Sequence, residues 1–503
     1  MQVEVTYEAF AAAYESGRAQ IVTALLVGDL ETPVSAFMKL AGTRPNAFLL
    51  ESVEGGAVRG RYSMIGLEPD LIWRCKDGTA SINRKPSEGT FEPAGGAALA
   101  SLRALIAESR IDLPEGAPPM AAGLFGYLGY DMVRFMERLD AAKPDPIGVP
   151  DAILMRPTVM VVFDAIRDEI AVVTPVRPAT GVSARQAYDR ALDRLTEIVE
   201  ALDRPTPKLA EPADLPSAMA SQVSNTSESE YLAMVERAKE YIRAGDIFQV
   251  VLSQRFTAPF TLPPFSLYRA LRRVNPAPFL VYLQFADFSV VCSSPEILVR
   301  LRDGKVTIRP IAGTRPRGAT KAEDQALERS LLADPKEIAE HLMLLDLGRN
   351  DVGRVSKIGS VTVTDKFFVE RYSHVMHIVS NVEGQIGSGH DALDALAAGF
   401  PAGTVSGAPK VRAMEIIDEL EKDKRGLYAG AIGYFGANGE MDTCIVLRTA
   451  LVKDGVMHVQ AGAGIVYDSV PASEQAECVN KSKALFRAAD EAVRFAGRPG
   501  RGQ

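Results

Sequence analysis

Residues 334–351 read DPKEIAEHLMLLDLGRND and residues 473–485 read SEQAECVNKSKAL. Their patterns predict helices over 335–347 and 473–495. Each segment carries two glutamates three residues apart, Glu337 with Glu340 and Glu474 with Glu477. Residues at that spacing are neighbours on one helix face. Two such faces turned toward each other would repel unless a hard cation stood between them, and oxygen-only coordination with water to spare suits Mg2+. The same spacing is common on solvated helix faces, and the residues alone leave both readings open. The company of the pairs favours a built site. Glu337 and Glu340 lead into the apolar run 342–345, and Glu474 and Glu477 are followed by Asn480 and Lys481.

The 503 residues suffice for two or three ordinary domains or one large one. With 47% hydrophobic and 24% charged residues the chain has globular composition and can bury a large core. No run approaches the roughly 18 apolar residues that a membrane span needs. The N-terminal MQVEVTYEAF lacks the basic and apolar regions of a secretory signal. Cys75, Cys292, Cys444 and Cys478 show neither metal-binding nor disulfide spacing, which points to a reducing, cytoplasmic setting. A net charge of −8 argues against a nucleic-acid partner.

The proline-rich segment DRPTPKLAEPADLPSAMASQVSN, 203–225, reads as a linker. It divides the chain into an N-terminal region 1–202, a linker 203–226, a catalytic region 227–482 and a C-terminal helix end and tail 483–503. Strands are expected at 48–53, 60–67, 70–75, 160–165 and 169–176, then at 248–256, 279–285, 288–293, 305–311, 360–369, 429–435, 443–452 and 456–461. Helices are expected at 97–109, 184–202, 322–332, 391–399 and 409–423, besides the two acidic ones. Ser227 and Glu230 have capping-box spacing before a further helix. Strands that arrive in runs favour an α+β fold, with large mixed or antiparallel sheets packed by helices.

GTVSGAPK (403–410) lacks the ending of a phosphate loop, and AGAGIV (461–466) lacks dinucleotide-loop spacing. Gly462 and Gly464 in a strand let a ligand or another backbone approach closely, or mark a bulge. EIAEH (337–341) has a glutamate where an inverted zinc-protease motif has its first histidine, which disfavours zinc hydrolysis and leaves His341 as a packed side chain. His374 and His377 suit one helix face or a strand, and either imidazole can serve as acid or base near neutrality. Glu296, after a proline at a strand end, reads as a carboxyl whose pKa burial would raise, or as an ordinary loop glutamate.

Taken together, GDIFQVVLSQRF (245–256), NPAPF (275–279), SSPE (293–296), RPIAGTRPRG (309–318), the 337–355 segment, YSHVMHIVS (372–380), FPAGTVSGAPKVRAMEIIDELE (400–421), YAGAIGYFG (428–436), DTCIVLRTA (442–450) and 460–481 resemble the chorismate-utilising enzymes, and within them the large-subunit family of anthranilate synthases. LLES (49–52) and GRYSMIG (60–66) resemble that family's N-terminal region. The resemblance implies the chorismate-utilising fold and conversion of chorismate and ammonia to anthranilate and pyruvate, the first step of tryptophan biosynthesis. It implies Mg2+ held by Glu337, Glu340, Glu474 and Glu477 against the ring carboxylate. Arg448 and Lys481 would hold substrate carboxyl groups, assisted by Tyr428, Gly462 and Gly464, with Ala312, Gly313 and Thr314 lining the site. Glu296 would protonate the leaving C4 hydroxyl, and His377 would take the C2 proton as pyruvate departs.

Two positions separate the relatives. Water-adding members carry a lysine where this chain has Gln249, and an amide cannot deprotonate water, so ammonia is implied. Aminodeoxychorismate synthases carry PIKGT, with a lysine able to attack the ring, where this chain has Ala312. The resemblance further implies a separate glutamine amidotransferase subunit as ammonia source, in a heterotetramer of two large and two small subunits. It also implies a tryptophan inhibitor site of Leu50, Glu51, Ser52, Asn275, Pro276, Pro278, Phe279, Tyr434 and Cys444. The competing readings are an aminodeoxychorismate synthase and, from another class, a catalytically silent amino-acid sensor on the same fold.

Overall fold

The structure, a computed structural model, describes residues 2–54, 58–139, 143–207, 216–372 and 375–496. His374 and part of the linker lie outside the described residues. Every strand ladder among the described residues is antiparallel, and helices pack on the resulting sheets, giving an α+β architecture. No described helix is long and apolar enough to cross a membrane.

Ladders run across the proline-rich segment. Strand Ala47–Glu54 lies between Val58–Lys76 and Phe279–Gln284, and Gly123–Leu128 lies between Ala152–Asp164 and Ala431–Gly436. The hydrophobic core follows the same pattern. One cluster joins Phe37 and Leu49 to Phe265, Tyr268 and Leu485, and another joins Trp73 and Leu102 to Tyr231, Met414 and Cys478. At the end of the proline-rich segment the Ala218 amide bonds to Asp490 Oδ1 at 2.6 Å, and Val223–Ser224 pairs with Phe256 and Thr257.

Several elements differ from the sequence pattern for local reasons. The expected strands 60–67 and 70–75 are one strand, Val58–Lys76, whose register shifts between Pro69 and Leu71, next to Glu68 at φ 50°. The expected strand 443–452 is two, Met441–Ile445 and Thr449–Lys453, with Arg448 between them at φ 48°. A non-glycine residue there breaks the ladder and turns its side chain out of the sheet's alternation. Strand Gly123–Leu128 carries too many glycines to signal itself, yet a Cβ on Gly126 would stand 2.0 Å from the Ile153 carbonyl oxygen. His377 sits on strand Val375–Gln385, not on a helix.

Helix Pro335–Gly353 starts at Asp334, whose side chain accepts from the amides of Lys336 and Glu337, with Pro335 at the first helical position. Helix Lys410–Leu420 stops at Glu421, whose backbone turns extended at ψ 138°. The Glu421 carboxylate accepts from the Ser253 amide at 2.8 Å and from Arg425 at 2.6 Å. Arg425 also donates to the carbonyls of Val405 and Val251. This buried pair ties the helix to strand Gln249–Pro259, whose first residue reaches the main cavity. Replacing Glu421 by alanine leaves a buried guanidinium uncompensated and should cost about 3–5 kcal/mol. Urea unfolding should show a clearly lower midpoint, and an unchanged midpoint would contradict the anchor.

Candidate active site

A cavity of about 470 Å³ opens between helices Pro335–Gly353 and Pro471–Ala496 over a floor of strand ends. Glu337, Glu340, Glu474, Glu477 and Lys481 line it from the helices. Gln249, Glu296, Ala312, Gly313, Thr314, His377, Tyr428, Arg448, Gly462 and Gly464 line it from below. His341 does not: it is buried, with Nε2 2.7 Å from Ser380 Oγ and its ring packed on Phe367.

Glycines make room for the floor. A Cβ on Gly464 would stand 2.6 Å from Gln249 Nε2, and one on Gly462 would stand 2.7 Å from the Tyr428 hydroxyl. Gln249 is buried, and its Oε1 has no hydrogen-bond partner in the structure.

Two ionisable groups are pushed in opposite directions. Glu296 is buried where strand Phe288–Ser294 turns into Ile297–Arg302. Burial raises its carboxyl to about 8, outweighing the hydrogen bond that Thr404 Oγ1 donates to Glu296 Oε1 at 3.1 Å. The group therefore carries its proton at neutral pH and can donate it. Thr404 was not among the residues that the sequence singled out, because a lone threonine in a glycine-rich stretch has no signature.

His377 behaves inversely. Burial, with the charges of Arg448 and Lys481, lowers its imidazole to about 4. Its Nδ1 lies 3.0 Å from the Gly313 carbonyl oxygen and 3.0 Å from Thr314 Oγ1. A carbonyl only accepts, so Nδ1 carries the hydrogen and Nε2 presents a lone pair. The imidazole is thus neutral and ready to accept a proton. Gly313, at φ 74°, sits at the bulge in strand Ile311–Pro316 that brings this carbonyl within reach.

Arg448 reaches the cavity from the break between its two strands. Among the described residues no carboxylate lies within ion-pair distance of it, and burial lowers its pKa. A partly buried guanidinium without a counter-charge is a fork suited to an incoming carboxylate. Lys481 donates to the Gly462 carbonyl at 3.0 Å and pairs with Glu477 at 2.7 Å.

The four glutamates share the cavity without closing on a point: among the described residues no three acidic, histidine or cysteine side chains are grouped closely enough to hold a metal ion. They nevertheless feel one another. Burial raises the Glu340 carboxyl, and the charges of Glu337 and Glu477 raise it further. Burial and Glu477 do the same to Glu474. An all-carboxylate set under mutual repulsion has the chemistry of a hard-cation site.

A second cavity, of about 630 Å³, lies on the other side of a thin wall. Leu50, Glu51, Ser52, Pro278, Phe279, Tyr434 and Cys444 line it. Asn275 and Pro276 do not, because Asn275 ends helix Pro264–Val274, its amide bonded to the Leu271 carbonyl. Glu51 is buried and committed to Arg272 at 2.7 Å and Tyr268 at 2.5 Å. Pro295 and Ile311 line both cavities, and Tyr372, which lines the second, packs edge-on against the His377 ring in the first at 5.5 Å.

Comparison with known proteins agrees on one family. The family described as chorismate binding enzyme matches residues 59–487. Anthranilate synthase component 1 of Cereibacter sphaeroides is 58% identical over 499 residues, 99% of this chain and 100% of that protein. The protein of the same name from Pseudomonas putida is 51% identical over 471 residues, 92% of this chain and 93% of that protein. Among solved structures, anthranilate synthase component I from Streptococcus pneumoniae superposes with a TM-score of 0.75 at 37% identity, covering 92% of this chain and 99% of that one.

The protonated state of Glu296 is directly observable. Infrared spectra should contain a protonated-carboxyl band at pH 7 that fades as pH rises through about 8 and is missing in Glu296→Gln. A Glu296 already ionised at pH 7 would contradict the reading.

Proposed function

The chain belongs to the chorismate binding enzyme family, and from that premise we propose how its main cavity turns chorismate and ammonia into anthranilate and pyruvate. It is a chorismate-utilising lyase with the role of the anthranilate synthase large subunit in tryptophan biosynthesis. The single observation that carries the mechanism is a neutral acid and a neutral base in one cavity with an uncompensated arginine. Glu296 holds a proton, His377 Nε2 is open, and Arg448 awaits a carboxylate.

Arg448 and Lys481 bind the carboxyl groups of the dianionic substrate. Glu296 donates its proton to the C4 hydroxyl, which leaves as water while the nitrogen of ammonia bonds to C2. Gln249 lines the same floor as a neutral amide. It cannot abstract a proton from water, so hydration is disfavoured. In the second stage His377 Nε2 takes the C2 proton, the C3–O bond breaks so that the ring becomes aromatic, and the departing enolpyruvate takes up a proton at its methylene carbon to become pyruvate. Glu337, Glu340, Glu474 and Glu477 are the residues that would hold Mg2+, which when bound offsets the charge of the substrate's ring carboxylate.

The reading as an aminodeoxychorismate synthase has less support, because Ala312, buried in the cavity wall, offers no amine to attack the ring. A silent sensor would have no use for a protonated glutamate facing a neutral histidine. Ammonia is supplied by a component II glutaminase, in an assembly of two large and two small subunits. Residues 1–202 supply part of the second cavity, which takes tryptophan as feedback inhibitor. The shared wall of Pro295 and Ile311 carries its effect to Glu296.

With chorismate, ammonium and Mg2+ the purified chain alone should form fluorescent anthranilate, and Glu296→Gln should lower kcat by about 10²–10⁴-fold. Aminodeoxychorismate as product, or undiminished turnover in the variant, would refute the assignment. Ser52→Phe should fill the second cavity and abolish tryptophan inhibition while kcat holds. Retained sensitivity would remove the effector from that cavity.

A further inference from the structure

The acidic helices share a cavity yet hold no ready-made ion cage, and an ion pair at the end of strand Ile311–Pro316 accounts for part of this. Arg315 donates to Glu337 Oε1 at 2.8 Å and to Asp334 Oδ2 at 2.7 Å. It also donates to the carbonyl of Thr314 at 2.9 Å. The other oxygen, Glu337 Oε2, lies against the Gly313 backbone, where a Cβ would stand only 3.1 Å away. Glu337 is therefore held between a strand backbone and a guanidinium. Asp334 is at the same time the N-cap of the helix that carries Glu337 and Glu340, so the arginine fork binds the first turn of that helix to the strand.

A guanidinium on Glu337 occupies the charge that a dication would otherwise satisfy. A dication bound to the same carboxylate would stand a few ångströms from the guanidinium, where like charges repel strongly in a half-buried site. Across the cavity Lys481 pairs with Glu477 in the same way, but as a successive-turn pair on one exposed helix face. Arg315 differs, because it comes from another element and holds its carboxylate with a fork anchored on a second acid. Glu340 and Glu474, by contrast, form no ion pair with a cation among the described residues.

We infer that Arg315 is the internal counter-cation of this site, holding Glu337 Oε1 so that its charge opposes a dication on the same carboxylate. The inference rests on the Mg2+ reading of the four glutamates. Its consequence is that a free divalent ion binds weakly on its own. A dianionic substrate adds negative charge beside the glutamates and tips the exchange, so metal and substrate strengthen each other's binding by the same factor.

The test is Mn2+ binding to the full chain, read from the electron paramagnetic resonance of free Mn2+, an ion with the oxygen preference of Mg2+. Without chorismate, Arg315→Gln should bind Mn2+ about fivefold tighter than the unaltered chain, the scale of a half-buried ion pair. Arg315→Lys, which keeps the charge but loses the fork, should fall between them. Saturating chorismate should narrow the differences. Unchanged or weaker Mn2+ binding in either variant, with an unaltered melting temperature, would overturn the inference and make Arg315 a support that orients Glu337. If Arg315→Gln fails to fold, Arg315→Lys decides alone by the same criterion. If the unaltered chain takes up no Mn2+ even with chorismate, the metal reading fails and the inference with it.

Discussion

Mutual repulsion among four carboxylates on two helices is the constraint around which this cavity is organised. Glu337 and Glu340 stand on one helix, Glu474 and Glu477 on another, and all four line one space. Burial makes this expensive, because each negative charge disfavours ionisation of the next. Burial, and after it the neighbouring glutamate charges, raises the carboxyls of Glu340 and Glu474. The protein offsets the rest with its own cations, Arg315 on Glu337 and Lys481 on Glu477.

Below the helices the same cavity keeps its proton-transfer groups uncharged. Burial raises Glu296 and lowers His377, so at neutral pH each holds the form that the proposed step requires. Both states are local consequences of the backbone. The strand turn buries Glu296, while the bulge at Gly313 supplies the carbonyl that fixes the imidazole tautomer. Arg448 is put on the floor by a broken strand. Two residues, Pro295 and Ile311, line both this cavity and the second one, and Pro295 directly precedes Glu296.

Much of this was legible in the sequence because it rests on periodicity and residue type. The 3.6-residue period drew helix Pro335–Gly353 and the acidic face of Pro471–Ala496, and the α+β class followed from strands arriving in runs. What the sequence hid depends on backbone irregularity or on distant partners. The β-branched and apolar run around Arg448 reads as one strand because a left-handed residue leaves no mark in composition. Gly123–Leu128 escaped notice because glycines that admit a close-packed neighbouring strand look like breakers. Thr404 gains its role only by folding against Glu296, and Arg315 only by meeting a helix start from another part of the chain. Asn275 belongs to the motif that suggested the second cavity, yet its conformation is spent on ending a helix.

These four carboxylates are proposed to converge on one divalent ion in the cavity that holds Glu296 and His377. Anomalous diffraction at the manganese edge, from crystals grown with Mn2+ and chorismate, tests it most directly. The account predicts one strong peak between the two acidic helices, within coordinating distance of glutamates from both. A peak elsewhere, or none beside those side chains while chorismate occupies the cavity, would contradict it.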